Sequence, residues 1–517
     1  MHETDAGAVT AIVPARYHRR LMPRTGREST PRTQSLRPWA RQVFSRASGA
    51  PLREGNSVSL LNDAAENYPA WLDSIARATR TIHLEMYIIH EDEQGQTFAD
   101  ALLQSASRGV RVRVLYDWLG GFGKTSRRFW SRLRAGGVEV RCYNPPRFDR
   151  PLGWFSRDHR KTLVIDSEMG FVTGLCIGQM WVGDLERNQE PWRDTGISIR
   201  GPAVADIEGA FAEAWATAGD PLPPSAQRDA ADATGTVPVR VVATVPNTAG
   251  LFRVDQLVAA MARERLWLTD AYYGGTAPYV EALRAAARDG VDVRLLVPGG
   301  SDIPLLRPFS RAGYRPLLEA GVRVYEWRGS MIHAKTAVAD SRWARVGSTN
   351  LNLASWLGNR ELDVIIEDES FAKEMEESYL RDLTNATEIV LRGRRVRAPD
   401  ARPRVRRRGR RQSSGGGRVL AGAVRVGNTF AAAITDRRVL EAVESHIAFM
   451  GGLVLLALAV LAFVFPRGLA YPVGALAAWL AMSMLFRGIE LWRQGQGATG
   501  AASTTLEADE PTDNTNA

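Results

Sequence analysis

The chain has 517 residues, 45% hydrophobic and 24% charged, which excludes a disordered or fibrous protein, and its two cysteines, Cys142 and Cys176, are too few for a disulfide scaffold or a four-thiolate zinc site. The formal charge of +9 is concentrated, because residues 392–411 hold eleven arginines and one acid, Asp400, leaving about −1 on the other 497 residues. The basic balance therefore belongs to one segment and argues against a nucleic-acid groove across the fold.

Residues 1–55 carry scattered arginine, threonine and proline without an apolar run, so they read as an Arg-rich, disordered extension rather than a secretory signal. In composition alone they also resemble a mitochondrial-type presequence. Beyond them, residues 69–80 space apolar side chains at helical intervals, and 81–89 (TIHLEMYII) predict a strand. A helix over 98–109, a strand over 110–117, a Trp- and Gly-bearing loop and a strand over 138–144 follow. Such alternation predicts a mixed or parallel sheet covered by helices. The pattern then recurs about 180 residues later: RLWLTDAYY (265–273) answers TIHLEMYII, and AGVRVYEW (320–327) answers GGVEVRCY. The spacing is far longer than a solenoid repeat and indicates a duplicated domain. The halves are expected at 56–222 and 238–392, joined by a linker over 223–237.

An Arg-rich juxtamembrane segment occupies 393–446, and residues 447–465 and 469–486 are runs of nineteen and eighteen residues without a charge. Each approaches the roughly twenty residues that cross a bilayer core, and Pro466-Arg467-Gly468 alone separates them, which predicts a transmembrane helical hairpin. A pair of buried core helices or a re-entrant hairpin are the competing readings. The arginines favour a cytoplasmic placement of the preceding body. Residues 487–517 form a polar tail.

The chemistry lies in two segments of the form H-x-K-x4-D, His159-Arg160-Lys161 to Asp166 and His333-Ala334-Lys335 to Asp340. Composition predicts on the order of 0.003 such matches by chance. Both fall at the same place in the repeat, and they take two of only four lysines in the chain, the others being Lys124 and Lys373. In an extended strand, side chains two apart share a face, so each histidine is expected beside its lysine. Two imidazole–ammonium pairs suit an oxyanion-rich substrate: the lysines neutralise phosphoryl oxygens, one imidazole attacks phosphorus and the other protonates the leaving oxygen. Downstream, Gly347-Ser348-Thr349-Asn350 offers small and polar groups for phosphate, where the first half has Thr173, Gly174 and Cys176. Asp194 and Glu361, each after an arginine and before a strand, are expected to hold a histidine ring nitrogen and fix its tautomer. Salt bridges to the adjacent arginines are the plainer alternative. Glu85 and Asp270, at matching strand positions, are candidates for facing the cleft.

These residues resemble the phospholipase D superfamily, whose signature is the doubled HKD motif, over roughly 56–392. The resemblance implies two pseudo-symmetric α/β halves sharing one cleft, a phosphohistidine intermediate, no metal and no cofactor. Carried over, His159 is similar to the nucleophile and His333 to the acid–base partner, and Lys161, Lys335, Asp166 and Asp340 are expected among the catalytic residues that complete the motifs. Lys161, Lys335 and Asn350 are similar to the phosphate contacts, and Gly174 and Ser348 are expected with Asn350 to bind substrate. The cues IHLEMYII, YDWLGG, PWRDTGISIRGPAV (191–204), GSTNLN (347–352) and NREL (359–362) most resemble bacterial cardiolipin synthases. That implies transfer of a phosphatidyl group from a second phospholipid donor onto phosphatidylglycerol, at the inner membrane with the catalytic body facing the cytoplasm. A C-terminal hairpin departs from the commonest layout of such enzymes. Cys176 stands where an asparagine is expected and removes one amide contact from the first half. Hydrolysis of phospholipid to phosphatidic acid is the rival activity, and a non-catalytic lipid-binding membrane protein is the rival class. Nucleic acid is not an expected partner.

Overall fold

The computed structural model describes residues 36–391, apart from 147–155, 185, 188, 224–230, 301 and 303–305, with scattered positions between 453 and 482. After helix α1 (Leu36–Ser48), the first half runs β1 (Arg53–Asn62), α2 (Asp63–Arg77), β2 (Thr81–Met86), α3 (Glu93–Ser107), β3 (Arg111–Asp117) and the single turn α4 (Trp118–Gly121). It continues through α5 (Arg127–Ala135), β4 (Glu139–Tyr143), β5 (Lys161–Ile165), β6 (Met169–Thr173), the turn α6 (Gln179–Val182), β7 (Thr195–Arg200) and α7 (Ala203–Thr217). The second half runs β8 (Val237–Thr244), α8 (Gly250–Met261), β9 (Arg265–Thr269), α9 (Ala277–Arg288), β10 (Asp292–Pro298), α10 (Leu306–Ala320) and β11 (Arg323–Trp327). It closes with β12 (Thr336–Ala339), β13 (Trp343–Gly347), a π-helical turn (Ala354–Gly358), β14 (Glu361–Ile366), α11 (Glu369–Thr384) and β15 (Ala386–Ile389).

The fifteen strands of the described residues form one mixed sheet, ordered β15-β11-β10-β9-β12-β13-β14-β8-β1-β7-β6-β5-β2-β3-β4. Outward from the β8–β1 contact, both arms share the same order of seven strands, the second adding β15 at its edge, so the duplication seen in the sequence is a duplication of topology. Strands β2, β3 and β4 are parallel, as are β9, β10 and β11, whereas β5–β7 and β12–β14 are antiparallel. The parallel trios require crossovers, which α3 and α5 supply in the first half and α9 and α10 in the second.

Local sequence chemistry accounts for these elements. Asp92 caps α3 by accepting from the Gly95 amide at 3.1 Å, and Phe98, Ala99, Leu102 and Ser105 form its buried stripe. Asp368 caps α11 in the same way at Phe371. One apolar core mixes Val164, Val172 and Ile197 of the first half with Val338, Val346 and Val364 of the second. Burial of that shared core opposes separation of the halves.

Several expectations need correction. The extension expected over 1–55 is ordered from residue 36, in α1 and the start of β1, because Phe44 is buried and β1 pairs with β7 and β8. Residues 1–35 lie outside the described residues. Strand β2 stops at Met86 rather than 89, and α3 begins at Glu93 rather than 98, where Asp92 caps it. Most of the expected hairpin also lies outside the described residues. Among the described residues no helix is long and apolar enough to cross a membrane.

Candidate active site

The antiparallel pairing of β2 with β5 sets Met86 opposite Lys161, so the end of β2 and the start of β5 meet. His159 lies two residues before β5 rather than within it, and His333 stands three residues before β12. Each is anchored by a short parallel bridge to the other half. The His159 amide donates to the Arg360 carbonyl at 2.9 Å, and the His333 amide to the Arg193 carbonyl at 2.7 Å.

The side chains repeat this exchange. His159 Nδ1 is 2.9 Å from Glu361 Oε2, and His333 Nδ1 is 2.7 Å from Asp194 Oδ2. Each histidine is thus held by a carboxylate from the opposite half. Asp194 and Glu361 each lie against a histidine Nδ1, while the neighbouring arginines bond to other side chains: Arg193 to Asp63 and Asp382, Arg360 to Glu213 and Tyr143. Around His159 Nδ1 the neighbours are that carboxylate and the Ser348 carbonyl at 3.1 Å, both acceptors. Nδ1 therefore carries the hydrogen, and Nε2 keeps its lone pair for chemistry.

Both lysines fold back on their own motif, Lys161 Nζ donating to the His159 carbonyl at 2.5 Å and Lys335 Nζ to the His333 carbonyl. All four groups belong to one electrostatic cluster, since Lys335 acts on His159 as Lys161 acts on His333. Burial lowers the His159 pKa, and burial with Lys335 beside it takes His333 down to about 3. Burial also lowers Lys335 to about 8, with Lys161 reinforcing the effect. Burial pushes Asp194 and Glu361 up, but hydrogen bonds and charge from the histidines, the lysines, Ser348 and the Thr195 amide together hold both below the usual carboxylate range. The resting site is two neutral imidazoles, each oriented by an anion, with cationic donors alongside.

The remaining expected residues divide. Asp166 and Asp340, expected among the catalytic groups, are a correction. Asp166 accepts from the amides of Thr79, Arg80 and Thr81, and Asp340 from those of Arg263, Glu264 and Arg265. Both sit in left-handed turns after β5 and β12, at the far end of those strands from the lysines, where they tie down the start of β2 and of β9. Strands of five and four residues span roughly 17 and 13 Å, which puts both aspartates out of reach of the imidazoles.

Ser348, expected on substrate, is fully buried, donates to Glu361 at 2.6 Å and accepts from the Leu362 amide at 3.0 Å. Its hydroxyl is committed to orienting the carboxylate. Gly174, also expected on substrate, makes room instead, because a Cβ there would lie 2.2 Å from Asp194 Oδ1. Asn350 is buried with its Oδ1 unpartnered, which leaves it available to a ligand.

Glu85 and Asp270 are both fully buried. Glu85 accepts from Thr162 at 3.2 Å, and burial with the Asp158 carboxylate keeps it well above the usual carboxylate range. It therefore faces Thr162 and Asp158 beneath the motif. Asp270 accepts from the Leu351 amide at 2.8 Å; burial raises it to about 7 against the pull of Lys335, which places it on the lysine side. Cys176 is buried, and burial raises its thiol pKa although both lysines oppose the rise.

Tyr87 and Tyr272 escaped the sequence reasoning. The Tyr87 ring meets the His159 ring edge-on at 4.7 Å and lies 5.1 Å from Lys161 Nζ, and Tyr272 repeats this at 5.8 Å from both His333 and Lys335. Each follows a carboxylate, Glu85 or Asp270, by two residues, and that matched spacing was the available signal. Trp181 and Trp192 flank His333 at 5.8 and 5.6 Å, and among the described residues no tryptophan repeats this at His159. A separate cavity of about 560 Å³ opens behind Trp192 between Asp63 and Asp382 and includes neither histidine.

The family model described as cardiolipin synthase, PLD-like domain, matches residues 71–190 and 258–383, one segment in each half. Cardiolipin synthase A of Pseudomonas aeruginosa is 34% identical over 380 residues, covering 69% of this chain and 76% of that protein. The cardiolipin synthase of Halalkalibacterium halodurans is 31% identical over 359 residues, covering 66% and 69%. Among solved structures, phosphatidylserine synthase of Haemophilus influenzae superposes with a TM-score of 0.54 at 14% identity, over 67% of this chain and 92% of that one, a likeness of fold. With these relatives, and with two such motifs meeting in one buried cluster, the chain belongs to the cardiolipin synthase family of phospholipase D-like proteins.

Proposed function

We propose that the protein is a phosphatidyltransferase that joins two phospholipids into cardiolipin through a covalent phosphohistidine. The observation that carries this reading is the exchanged pair of imidazole–carboxylate contacts, His159–Glu361 and His333–Asp194, beside Lys161 and Lys335. His159 Nε2 attacks the donor phosphorus while the bond to the leaving alcohol oxygen breaks, and His333 delivers a proton to that oxygen. The phosphodiester's negative charge favours the His333 imidazolium that this proton transfer requires. The acceptor hydroxyl of phosphatidylglycerol then gives its proton back to His333, attacks the phosphorus and releases His159. Lys161, Lys335 and the Asn350 NH2 group line the phosphoryl position; the ammonium groups offset charge on its non-bridging oxygens.

Residues 447–486 are proposed to anchor the enzyme as a transmembrane hairpin, with the catalytic body on the cytoplasmic face of the bacterial inner membrane. Anchoring holds both lipids at high local concentration, which favours an alcohol over water as acceptor.

Full-chain protein in mixed micelles with phosphatidylglycerol is expected to yield cardiolipin and glycerol; phosphatidic acid as the sole product overturns the transferase reading. With phosphorus-labelled donor, His159→Ala is expected to abolish the covalent adduct, whereas His333→Ala forms it and releases it slowly. An adduct persisting in His159→Ala overturns the assignment of the nucleophile.

A further inference from the structure

Among the described residues of the catalytic body eight large apolar side chains are exposed, and four of them lie on segments that adjoin the imidazoles. Leu119, Phe122, Val182 and Leu353 are 41%, 66%, 41% and 56% exposed. Each lies on a segment leaving a strand at its cleft end. Leu119 and Phe122 follow β3, and between them Gly120 is pressed so close to the Tyr87 carbonyl that a Cβ would stand 2.0 Å from it. Tyr87 is the ring that rests on His159. Val182 follows Trp181, whose ring meets His333. Leu353 comes three residues after Asn350, on the segment whose Leu351 amide is held by Asp270.

The loop after β3 also carries charge of one sign. From Trp118 to Val138 there are five basic residues and no acid. Of these, Lys124, Arg127 and Arg128 are exposed directly beyond Phe122. Lys124 is one of the chain's four lysines and is not used by the chemistry. The loop is fastened to the site: one Asp117 oxygen accepts from the Leu119 and Gly120 amides at 2.8 and 3.0 Å, and the other accepts from the Asp158 amide at 2.9 Å, next to His159.

From this arrangement we infer that the rim of the cleft is a docking surface for an anionic phospholipid leaflet, with Leu119 and Phe122 entering the acyl boundary and Lys124, Arg127 and Arg128 meeting headgroup phosphates. The inference rests on the phosphatidyltransferase reading for its substrate and adds the surface that receives it. Exposed apolar side chains beside a run of cations complement a leaflet whose headgroups are anionic and whose chains are apolar. A phospholipid has its phosphate at headgroup level, so a cleft that admits the phosphate while the acyl chains stay in the leaflet must open toward that leaflet. The shared Asp117 carboxylate ties the depth of the loop to the height of His159.

The test compares full-chain protein with Leu119→Ser/Phe122→Ser and Lys124→Glu/Arg127→Glu/Arg128→Glu variants. Substrates are phosphatidylglycerol in vesicles and dihexanoyl phosphatidylglycerol below its micellar concentration. The apolar double variant is expected to raise the apparent KM for vesicles about tenfold or more while its kcat/KM on the monomeric lipid stays within about twofold. The charge variant is expected to lose the dependence of vesicle activity on salt and anionic fraction. Equal losses on both substrates, or none on either, overturn the docking surface. A change in sedimentation mass of the apolar variant assigns the patch to a second copy of the chain and also overturns it.

Binding is read separately by hydrogen exchange of residues 118–128 in bilayers of phosphatidylglycerol and of phosphatidylcholine. Protection specific to the anionic bilayer supports docking, and its absence overturns it. Protection in a wild-type chain that turns over neither lipid upholds docking while overturning the transferase reading.

Discussion

Glu361 Oε2 stands 2.9 Å from His159 Nδ1 although 202 residues separate them in the chain. His333 and Asp194 are 139 apart and meet at 2.7 Å in the reciprocal arrangement. Neither half therefore holds an oriented histidine of its own, and the site is completed only when the sheet joins its two arms through β8 and β1.

Removing either carboxylate's charge is expected to be costly in turnover. Asp194→Asn and Glu361→Gln should each lower kcat by about 10²–10⁴-fold, because the imidazole loses the anion that selects its tautomer and stabilises its charged form. Steady-state assays with a check of folding by circular dichroism measure this. A loss below about fivefold in both variants would show that the carboxylates do not orient the histidines.

The pH response has two parts, one at each end of the neutral range. His333 is lowered from an ordinary value near 6.5 to about 3, so between these values the unfolded chain binds a proton that the folded one refuses. Stability is expected to fall as pH drops through that window, and His333→Phe should flatten this part of a denaturant-midpoint profile. Lys335 is lowered to about 8, so its ammonium is lost above that pH in the folded enzyme while the unfolded chain keeps it. Activity should decline above about pH 8 while the Lys335 contribution to stability rises toward the ordinary lysine value. A kcat/KM profile that stays flat to about pH 9.5 would contradict the role given to this ammonium.

Gly174 is predicted to be intolerant for a reason of space. A Cβ would come within 2.2 Å of Asp194 Oδ1, so Gly174→Ala must push the carboxylate away from His333. Activity should fall about as far as in Asp194→Asn, and the pair should not be additive, since both changes break one contact. Additive losses in the double variant would mean that Gly174 acts elsewhere.

For the aspartates that close the two motifs, the expected loss is of stability. Asp166→Ala and Asp340→Ala each strip the acceptor from three backbone amides, at a cost of about 1–3 kcal/mol. Chemical denaturation should register that loss, while kcat per folded molecule changes less than about threefold. A collapse of kcat in a fully folded variant would return these residues to the chemistry.

Sequence alone determined the duplication, the α/β alternation and the two His-x-Lys pairs, because strand and helix periods and a repeated motif are local properties that need no knowledge of contacts. It also singled out Asp194 and Glu361 by their matched positions at the entry to β7 and β14. Only the tertiary structure decided that those carboxylates are exchanged between halves, that Ser348 is spent on Glu361, and that Asp166 and Asp340 cap backbone turns a strand's length from the imidazoles. Tyr87 and Tyr272 likewise became visible only in space. The physical reason is that spacing along a chain fixes which face a side chain occupies, whereas its partner across 139 or 202 residues depends on how the two arms of one sheet close on each other.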